Sequence, residues 1–337
     1  MSRGDAVGWN MRRACEAFSV FLTVLAMATA YPGAAAAQTA DYPSRPVKIL
    51  VGASPGGTTD TMARAIATEM TTALGQPVIV ENKPGAGGNL AADTVAKSPP
   101  DGYTLLVSFT SHTINATLYS NLTFDPVADF TPITMIATVP SMLVGNPKLP
   151  ENTLQELIAS AKNKPDKLTI AIGGIGSSLH LAGEQLKMMS GIRLLNVPYK
   201  GSTPAMTDVI AGHVDLMFTS MVTGAAQVRA GKLKAFGVTS AALQQSFPDL
   251  PAIGEVVPGF ESTAWFGVFG PANLPAPIAT KLNTVIAASL AGSRLKEQLL
   301  LEGATPVGNS QEEFSTFVRN DVQRWAPIVK QSGATPE

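Results

Sequence analysis

Three glycine-rich turns in this chain run directly into helix starts. They are Ser54-Pro55-Gly56-Gly57-Thr58-Thr59-Asp60, Gly173-Gly174-Ile175-Gly176-Ser177-Ser178 and Pro198-Tyr199-Lys200-Gly201-Ser202-Thr203-Pro204. A helix N-terminus leaves its first backbone N–H groups unpaired and carries partial positive charge. Glycine lets a ligand come close to that backbone. One such end is a weak anion site, whereas several facing one crevice hold a carboxylate without any arginine. The chemistry this implies is capture of a small anion rather than its conversion.

Residue types that catalyse are sparse around these turns. His112, His180 and His213 are far apart, and none sits in a metal-ligand spacing such as His-Glu-x-x-His. No Gly-x-Ser-x-Gly elbow is present. Ser177 and Ser178 are either nucleophiles or helix caps and ligand hydrogen-bonders, the second being the simpler reading. Lys200 is either a buried Schiff-base amine or a solvated, ligand-facing cation. His180 lies within the first helical turn and either touches ligand or lines the cleft, while His112 and His213 read as structural. Asp60 either compensates the helix dipole or contacts ligand. Asp215 lies in an apolar strand start, where a carboxylate is costly unless paired. It is either hydrogen-bonded to nearby backbone or placed at the cleft. Tyr199 offers an apolar face and a hydroxyl suited to clamping an organic acid. Gly85-Ala86-Gly87-Gly88 has the wrong spacing for a dinucleotide fingerprint, and Gly173-x-x-Gly176 lacks the Lys-Ser/Thr ending of a P-loop. The 85–89 segment therefore reads as a structural turn near the site.

The chain has 337 residues, but its start is not expected in the fold. Arg12 and Arg13 precede an apolar stretch over 18–30, which Tyr31-Pro32-Gly33 breaks before Ala35-Ala36-Ala37. This order predicts a secretory signal peptide over 1–37, cleaved after Ala37, with Met11 as an alternative start. The apolar stretch is too short to span a bilayer, which takes about 20 residues. The single cysteine, Cys15, lies inside that signal, so the mature chain needs a large core instead of disulfides. An apolar content of 45% supplies one, and a net charge of −1 gives no basic footprint for nucleic acid. A mature length of this size predicts two domains.

Apolar runs and turn residues position these groups. Strands are expected over 47–51, 77–80 and 103–107, with helices over 62–74 and 90–97 between them. The same order repeats further on. Strands are expected over 141–144, 168–172, 194–197, 214–218 and 235–239, and helices over 153–161, 179–189 and 205–211. Apolar strand character returns over 265–269, followed by helices over 278–290 and 312–329. Such alternation predicts mostly parallel sheets covered on both faces.

Seven motifs then come in one order. Tyr42-Pro43-x-Arg45-Pro46, Pro55-Gly56-Gly57-x-x-Asp60, Val80-Glu81-Asn82-Lys83-Pro84-Gly85-Ala86-Gly87-Gly88 and Pro100-Asp101-Gly102-Tyr103-Thr104-Leu105-Leu106 are the first four. Phe124-Asp125-Pro126-x-x-Asp129-Phe130-Thr131-Pro132-Ile133, Val197-Pro198-Tyr199-Lys200-Gly201 and Ala211-Gly212-x-Val214-Asp215-Leu216-Met217-Phe218 complete the set. The chain resembles the Bug family, periplasmic substrate-binding proteins of tripartite tricarboxylate transporters. The resemblance implies an α/β, two-lobed Venus-flytrap fold of type II-like topology, each lobe a mixed sheet flanked by helices. Lobe one would take residues 42–140 and 265–337, and lobe two 141–264. The ligand would sit between them with its carboxylate held by backbone amides and waters. The positions implied are Pro55, Gly56, Gly57, Thr58, Asp60, Ser108, Thr110, Ser111, Gly174, Gly176, Ser177, Ser178, Tyr199, Lys200, Gly201 and Asp215, to which the reading of the helix start adds His180. Where relatives carry a glycine-containing turn, this chain has Ser108-Phe109-Thr110-Ser111-His112, so Phe109 and His112 are expected to reshape the pocket.

The function expected is periplasmic capture of a small organic acid for a membrane permease, by a monomer with no cofactor, no metal, no nucleic-acid partner and no reaction. In the same fold, the closed form could instead dock a sensor kinase. From another class, an exported hydrolase would use Ser177 or Ser178. A nucleotide-using enzyme that is not exported would keep its N-terminus.

Overall fold

The computed structural model describes residues 42–199, 201–241, 247, 249–301 and 303–336. The expected signal peptide and Lys200 lie outside the described residues. The chain divides into a segment ending at Ser44 and a unit from Arg45 onward, which holds every element below.

In chain order, β1 (Val47–Val51), α1 (Thr58–Leu74), β2 (Val78–Asn82), α2 (Asn89–Ala96) and β3 (Thr104–Phe109) alternate as expected. Then come α3 (Ser111–Leu118) and the long strand β4 (Phe130–Val139). Pro140 alone separates β4 from β5 (Ser141–Gly145). A second alternating series follows: α4 (Leu154–Asn163), β6 (Thr169–Ile172), α5 (Ser178–Ser190), β7 (Leu195–Pro198), α6 (Ser202–Ala211), β8 (Leu216–Ser220), α7 (Met221–Arg229) and β9 (Lys234–Val238). After the short α8 (Ile253–Val256), the chain closes with β10 (Ala264–Pro271), α9 (Ala276–Ala291), α10 (Ser293–Leu301), β11 (Thr305–Pro306) and α11 (Gln311–Ser332).

Two sheets result, ordered β11-β4-β10-β3-β1-β2 and β7-β6-β8-β5-β9. The strands β1, β2 and β3 run parallel, as do β6, β7 and β8. The rest pair antiparallel: β10 with β3 and β4, β11 with β4, and β5 with β8 and β9. The mostly parallel sheets expected from the alternation alone are therefore corrected to the mixed ones that the resemblance implies. The physical reason is the exchange of chain between sheets. The strands that carry it across, β5 and β10, enter against the parallel trio of the sheet they join. The fold is the two-lobed α/β arrangement.

Each sheet is covered by apolar side chains. Leu50, Leu106, Phe130, Trp265, Phe269 and Phe314 form one core on the first sheet. Leu143, Ile170, Leu186, Phe218 and Phe236 form one face of the second, and Met142, Val144, Met217 and Val238 pack on another. Helix α11 starts with a capping box, Ser310 with Glu313, which satisfies two otherwise orphaned N–H groups. Its Trp325, Ile328 and Val329 pack against Ile114 of α3 and Leu181 of α5, so one helix rests on both lobes.

The apolar pattern of the sequence does not mark α3, α7, α8, α10, β4 or β11. Helix α3 reads Ser-His-Thr-Ile-Asn-Ala-Thr-Leu, mostly poor helix formers, and is held by tertiary burial of His112, Thr113, Ile114 and Asn115. Helix α7 contains Gly224 and three β-branched residues. Strand β4 carries Pro132 and accepts two register shifts against β10.

Candidate functional site

Both parallel trios end at the same kind of edge. In the first sheet the chain steps from β1 out to β2 and returns to β3 on the other side of β1; the second repeats this with β6, β7 and β8. Ligands in open α/β sheets bind outside the carboxyl ends of strands at such a switch point. The 52–60 turn, the 85–88 turn and the start of α3 follow β1, β2 and β3. The 173–178 turn, Gly201 and the start of α7 follow β6, β7 and β8.

On the first edge the turns lie against one another. A Cβ on Gly52 would stand 2.5 Å from the Cα of Gly88. Pro55, Gly56, Gly57 and Thr58 are exposed, and α1 starts without a side-chain cap. Asp60 does not share that exposure. Its carboxylate accepts the Gly56 N–H, the Arg64 Nε–H and the Asn82 Nδ2–H, each at 2.9 Å. The Arg64 hydrogen bond, against the upward push of burial and with help from Gly56 and Asn82, holds this carboxyl down at about 2. The expectation of a ligand contact at Asp60 is corrected: a carboxylate with three donors already in place shapes the turn instead.

At the end of β3, Ser108 is buried within the strand and Thr110 is 1% exposed. Thr110 Oγ1 accepts the Trp265 N–H at 3.0 Å, so it ties β3 to β10 rather than facing ligand. His112 corrects a second expectation. It is buried among Phe124, Phe130 and Phe269, and its Nε2 donates to the Pro126 carbonyl at 2.8 Å. Burial, opposed by that hydrogen bond, pushes its ring down to about 4. The pocket is not reshaped by His112. Phe109 does lie at the edge, half-buried, with its ring carbon 3.4 Å from where a Gly88 Cβ would stand.

On the second edge, a Cβ on Gly173 would stand 2.9 Å from the Ser202 nitrogen, so the second and third turns adjoin. Ser177 caps α5: its Oγ accepts the His180 N–H at 3.2 Å and donates to the Gly174 carbonyl at 2.8 Å. His180 is 6% exposed and braces the same turn, its Nδ1 accepting the Gly176 N–H at 3.0 Å. That bond places the ring proton on Nε2, which faces Glu184 Oε1 at 3.3 Å. Burial pushes the Glu184 carboxyl up, but His180, Lys187 and Asn196 outweigh it and bring it down to about 2. Neither ring nitrogen of His180 is left to activate Ser177, so these two residues do not form a nucleophile–base pair.

Tyr199 and Asp215 also hold structure. The Tyr199 hydroxyl donates to Asp208 Oδ2 at 2.7 Å, and that partner pushes it up to about 12. Asp215 accepts both the backbone N–H and the hydroxyl of Thr169 at 2.8 Å. Thr169 opens β6, whereas the 173–178 turn follows its other end. The placement of Asp215 at the cleft is thus corrected: it fastens β6 to β8 at the far edge of the sheet.

A cavity of about 400 Å³ joins the two edges. Gly87, Ser111, Asn115 and Leu118 line it from the first, and Ile175, Gly176 and Ser177 from the second. The lobes touch there, since a Cβ on Gly176 would stand 2.6 Å from Leu118 Cδ2. Helix ends supply donors: the N–H groups of Ser111, His112, Ser178 and Leu179 have no partner among the described residues. Ser111, Gly176 and Ser177 thus line one cavity, and Ser178, directly after them, opens α5. Gly174 and Gly201 lie on the same edge without lining the cavity. Asn115 and Leu118 were missed, because α3 was not read as a helix. Among the described residues no group of three or more His, Cys, Asp or Glu could hold a metal.

Comparison with known proteins identifies the family and the fold. The family model described as tripartite tricarboxylate transporter family receptor matches residues 62–334. The chain is similar to protein BugT of Bordetella pertussis (36% identical over 317 residues, 93% of this chain and 97% of that protein). Among solved structures it is similar to Rpa4515 of R. palustris with adipate (TM-score 0.75, 36% identity, 88% of this chain and all of that one). It is also similar to MatC of Rhodopseudomonas palustris with bound malate (TM-score 0.71, 33% identity, 86% of this chain and all of that one).

Proposed function

This chain belongs to the tripartite tricarboxylate transporter family of receptors, and we propose that it captures a small organic acid in the periplasm for a membrane permease. The observation that carries the reading is the cavity lined both by Ser111, the first residue of α3, and by Ser177, the cap of α5, so that helix N-termini from the two edges adjoin it. Two N–H groups from α3 and two from α5 offer charge-assisted hydrogen bonds to one carboxylate, which are strong where water is excluded. Adipate and malate, held by the two similar solved proteins, are both carboxylates, which supports that class of ligand.

Lobe one takes residues 42–140 and 265–337, and lobe two takes 141–264. The lobes close by a hinge motion about the two crossovers, one at Pro140 and one leading into β10. Closure brings Pro55, Gly56, Gly57 and Thr58, with Gly201, toward the ligand held at Ser111, Gly176 and Ser178. The closed monomer is the form the permease recognises. The chain reaches the periplasm by a signal peptide cleaved after Ala37. It catalyses no turnover, and its serines and glycines bind rather than react. The test is a thermal-shift screen of purified protein against di- and tricarboxylates, amino acids and aromatic acids. An acid at 100 times its Kd raises stability by about 2.7 kcal/mol. A flat response to every acid, or turnover of an ester panel lost on replacing Ser177 or Ser178, contradicts the reading.

A further inference from the structure

Asn115 is 2% exposed and stands in the cavity wall. Its Nδ2 donates to the Gly87 carbonyl at 3.1 Å and to Asn89 Oδ1 at 2.8 Å. A carbonyl can only accept, so the Gly87 contact fixes which end of the amide is nitrogen. Oδ1 accepts no hydrogen bond among the described residues. It is not among the buried atoms that lack a partner, so it opens onto the cavity, where a ligand donor can take the place of water. The neighbouring Ser177 hydroxyl cannot answer it, being engaged with Gly174 and His180. Around the same space, Leu118 and the 40%-exposed Ile175 offer apolar surface.

We propose that Asn115 is a specificity-determining residue and that the cavity takes carboxylic acids carrying a hydroxyl or N–H donor on an otherwise apolar carbon chain. This rests on the carboxylate reading above: helix N–H groups hold the carboxylate, Asn115 Oδ1 accepts from the donor, and Leu118 and Ile175 cover the carbons. A site built around an acceptor rejects the analogue lacking the donor far more strongly than an apolar wall does.

The experiment is calorimetric titration of purified protein with two matched pairs, 3-hydroxybutyrate against butyrate and malate against succinate. The hydroxyl-bearing member is expected to bind at least about tenfold more tightly in at least one pair. Asn115→Ala is expected to bring that ratio close to one while retaining measurable acid binding. Should that variant fail to fold, the wild-type ratio decides alone. Equal or tighter binding of both deoxy acids overturns the proposal and leaves the carboxylate reading intact. A ratio unchanged in a folded Asn115→Ala also overturns it. Binding of none of the four acids overturns it as well, and if the wider acid panel is silent too, the carboxylate reading falls with it.

Discussion

Asp321 Oδ2 accepts the indole N–H of Trp265 at 2.9 Å. The same oxygen takes the Thr113 hydroxyl at 2.6 Å, and Oδ1 takes two bonds from Arg324. Arg324 in turn donates to the Glu261 carbonyl at 2.8 Å, and Gln185 of α5 donates to that same carbonyl at 3.2 Å. One buried carboxylate on α11 thus gathers α3, the start of β10 and, through Arg324, the segment just before β10. Asp321→Ala leaves a buried indole N–H unpaired, leaves the Thr113 hydroxyl only the Thr110 carbonyl, and frees Arg324. The expected loss is about 3 kcal/mol in urea unfolding, in the range for breaking a buried pair. A loss under about 1 kcal/mol would show that these bonds are replaceable.

His112 makes stability depend on pH. Its folded ring titrates near 4 against an ordinary 6.5, so only the unfolded chain takes up this proton between those values. Stability from this group is complete above about pH 6.5 and falls as pH drops toward 4, by about 1.4 kcal/mol per unit. Comparing unfolding free energies of wild type and His112→Leu from pH 4 to 7 checks this, with a slope shallower by one proton expected in the variant. Ring NMR showing His112 protonated at pH 6 would contradict it.

Gly176 reports on the contact between lobes. It has a φ of +74°, and an added Cβ would stand 2.6 Å from Leu118 Cδ2. Gly176→Ala is expected to cost about 1–2 kcal/mol and to weaken acid binding. Leu118→Ala in the same chain should recover part of that cost, a coupling of at least about 0.5 kcal/mol in a double-mutant cycle. Strict additivity would mean that the two residues do not meet.

Asp215 separates framework from ligand contacts. Asp215→Ala leaves Thr169 without its acceptor and is expected to cost about 1–2 kcal/mol of stability. Acid affinity at the opposite sheet edge should stay within about twofold. A tenfold loss of affinity in a folded variant would return Asp215 to the ligand.

Much of the fold was legible in the sequence, because apolar periodicity and glycine punctuation mark β1 through β3 and β6 through β8 without tertiary help. The three turns were legible for the same reason, and Ser111, Gly176 and Ser177 meet at one cavity. What could not be read depends on partners distant in sequence. Nothing local says that Asp60 meets Asn82, that Asp215 meets Thr169, or that His180 spends a ring nitrogen on Gly176. A titratable residue beside a glycine turn has the same local signature whether it touches ligand or braces the turn. Asn115 was hidden for a related reason: α3 is a helix by burial, and weak propensity conceals it.

The most direct test is a crystal structure of the protein with an acid from the thermal-shift screen. One carboxylate should lie about 2.7–2.9 Å from backbone N–H groups of Ser111 or His112 on one lobe and Ser178 or Leu179 on the other. An acid seated away from these two helix ends, or gripped by lysine or arginine side chains instead of peptide amides, would contradict it.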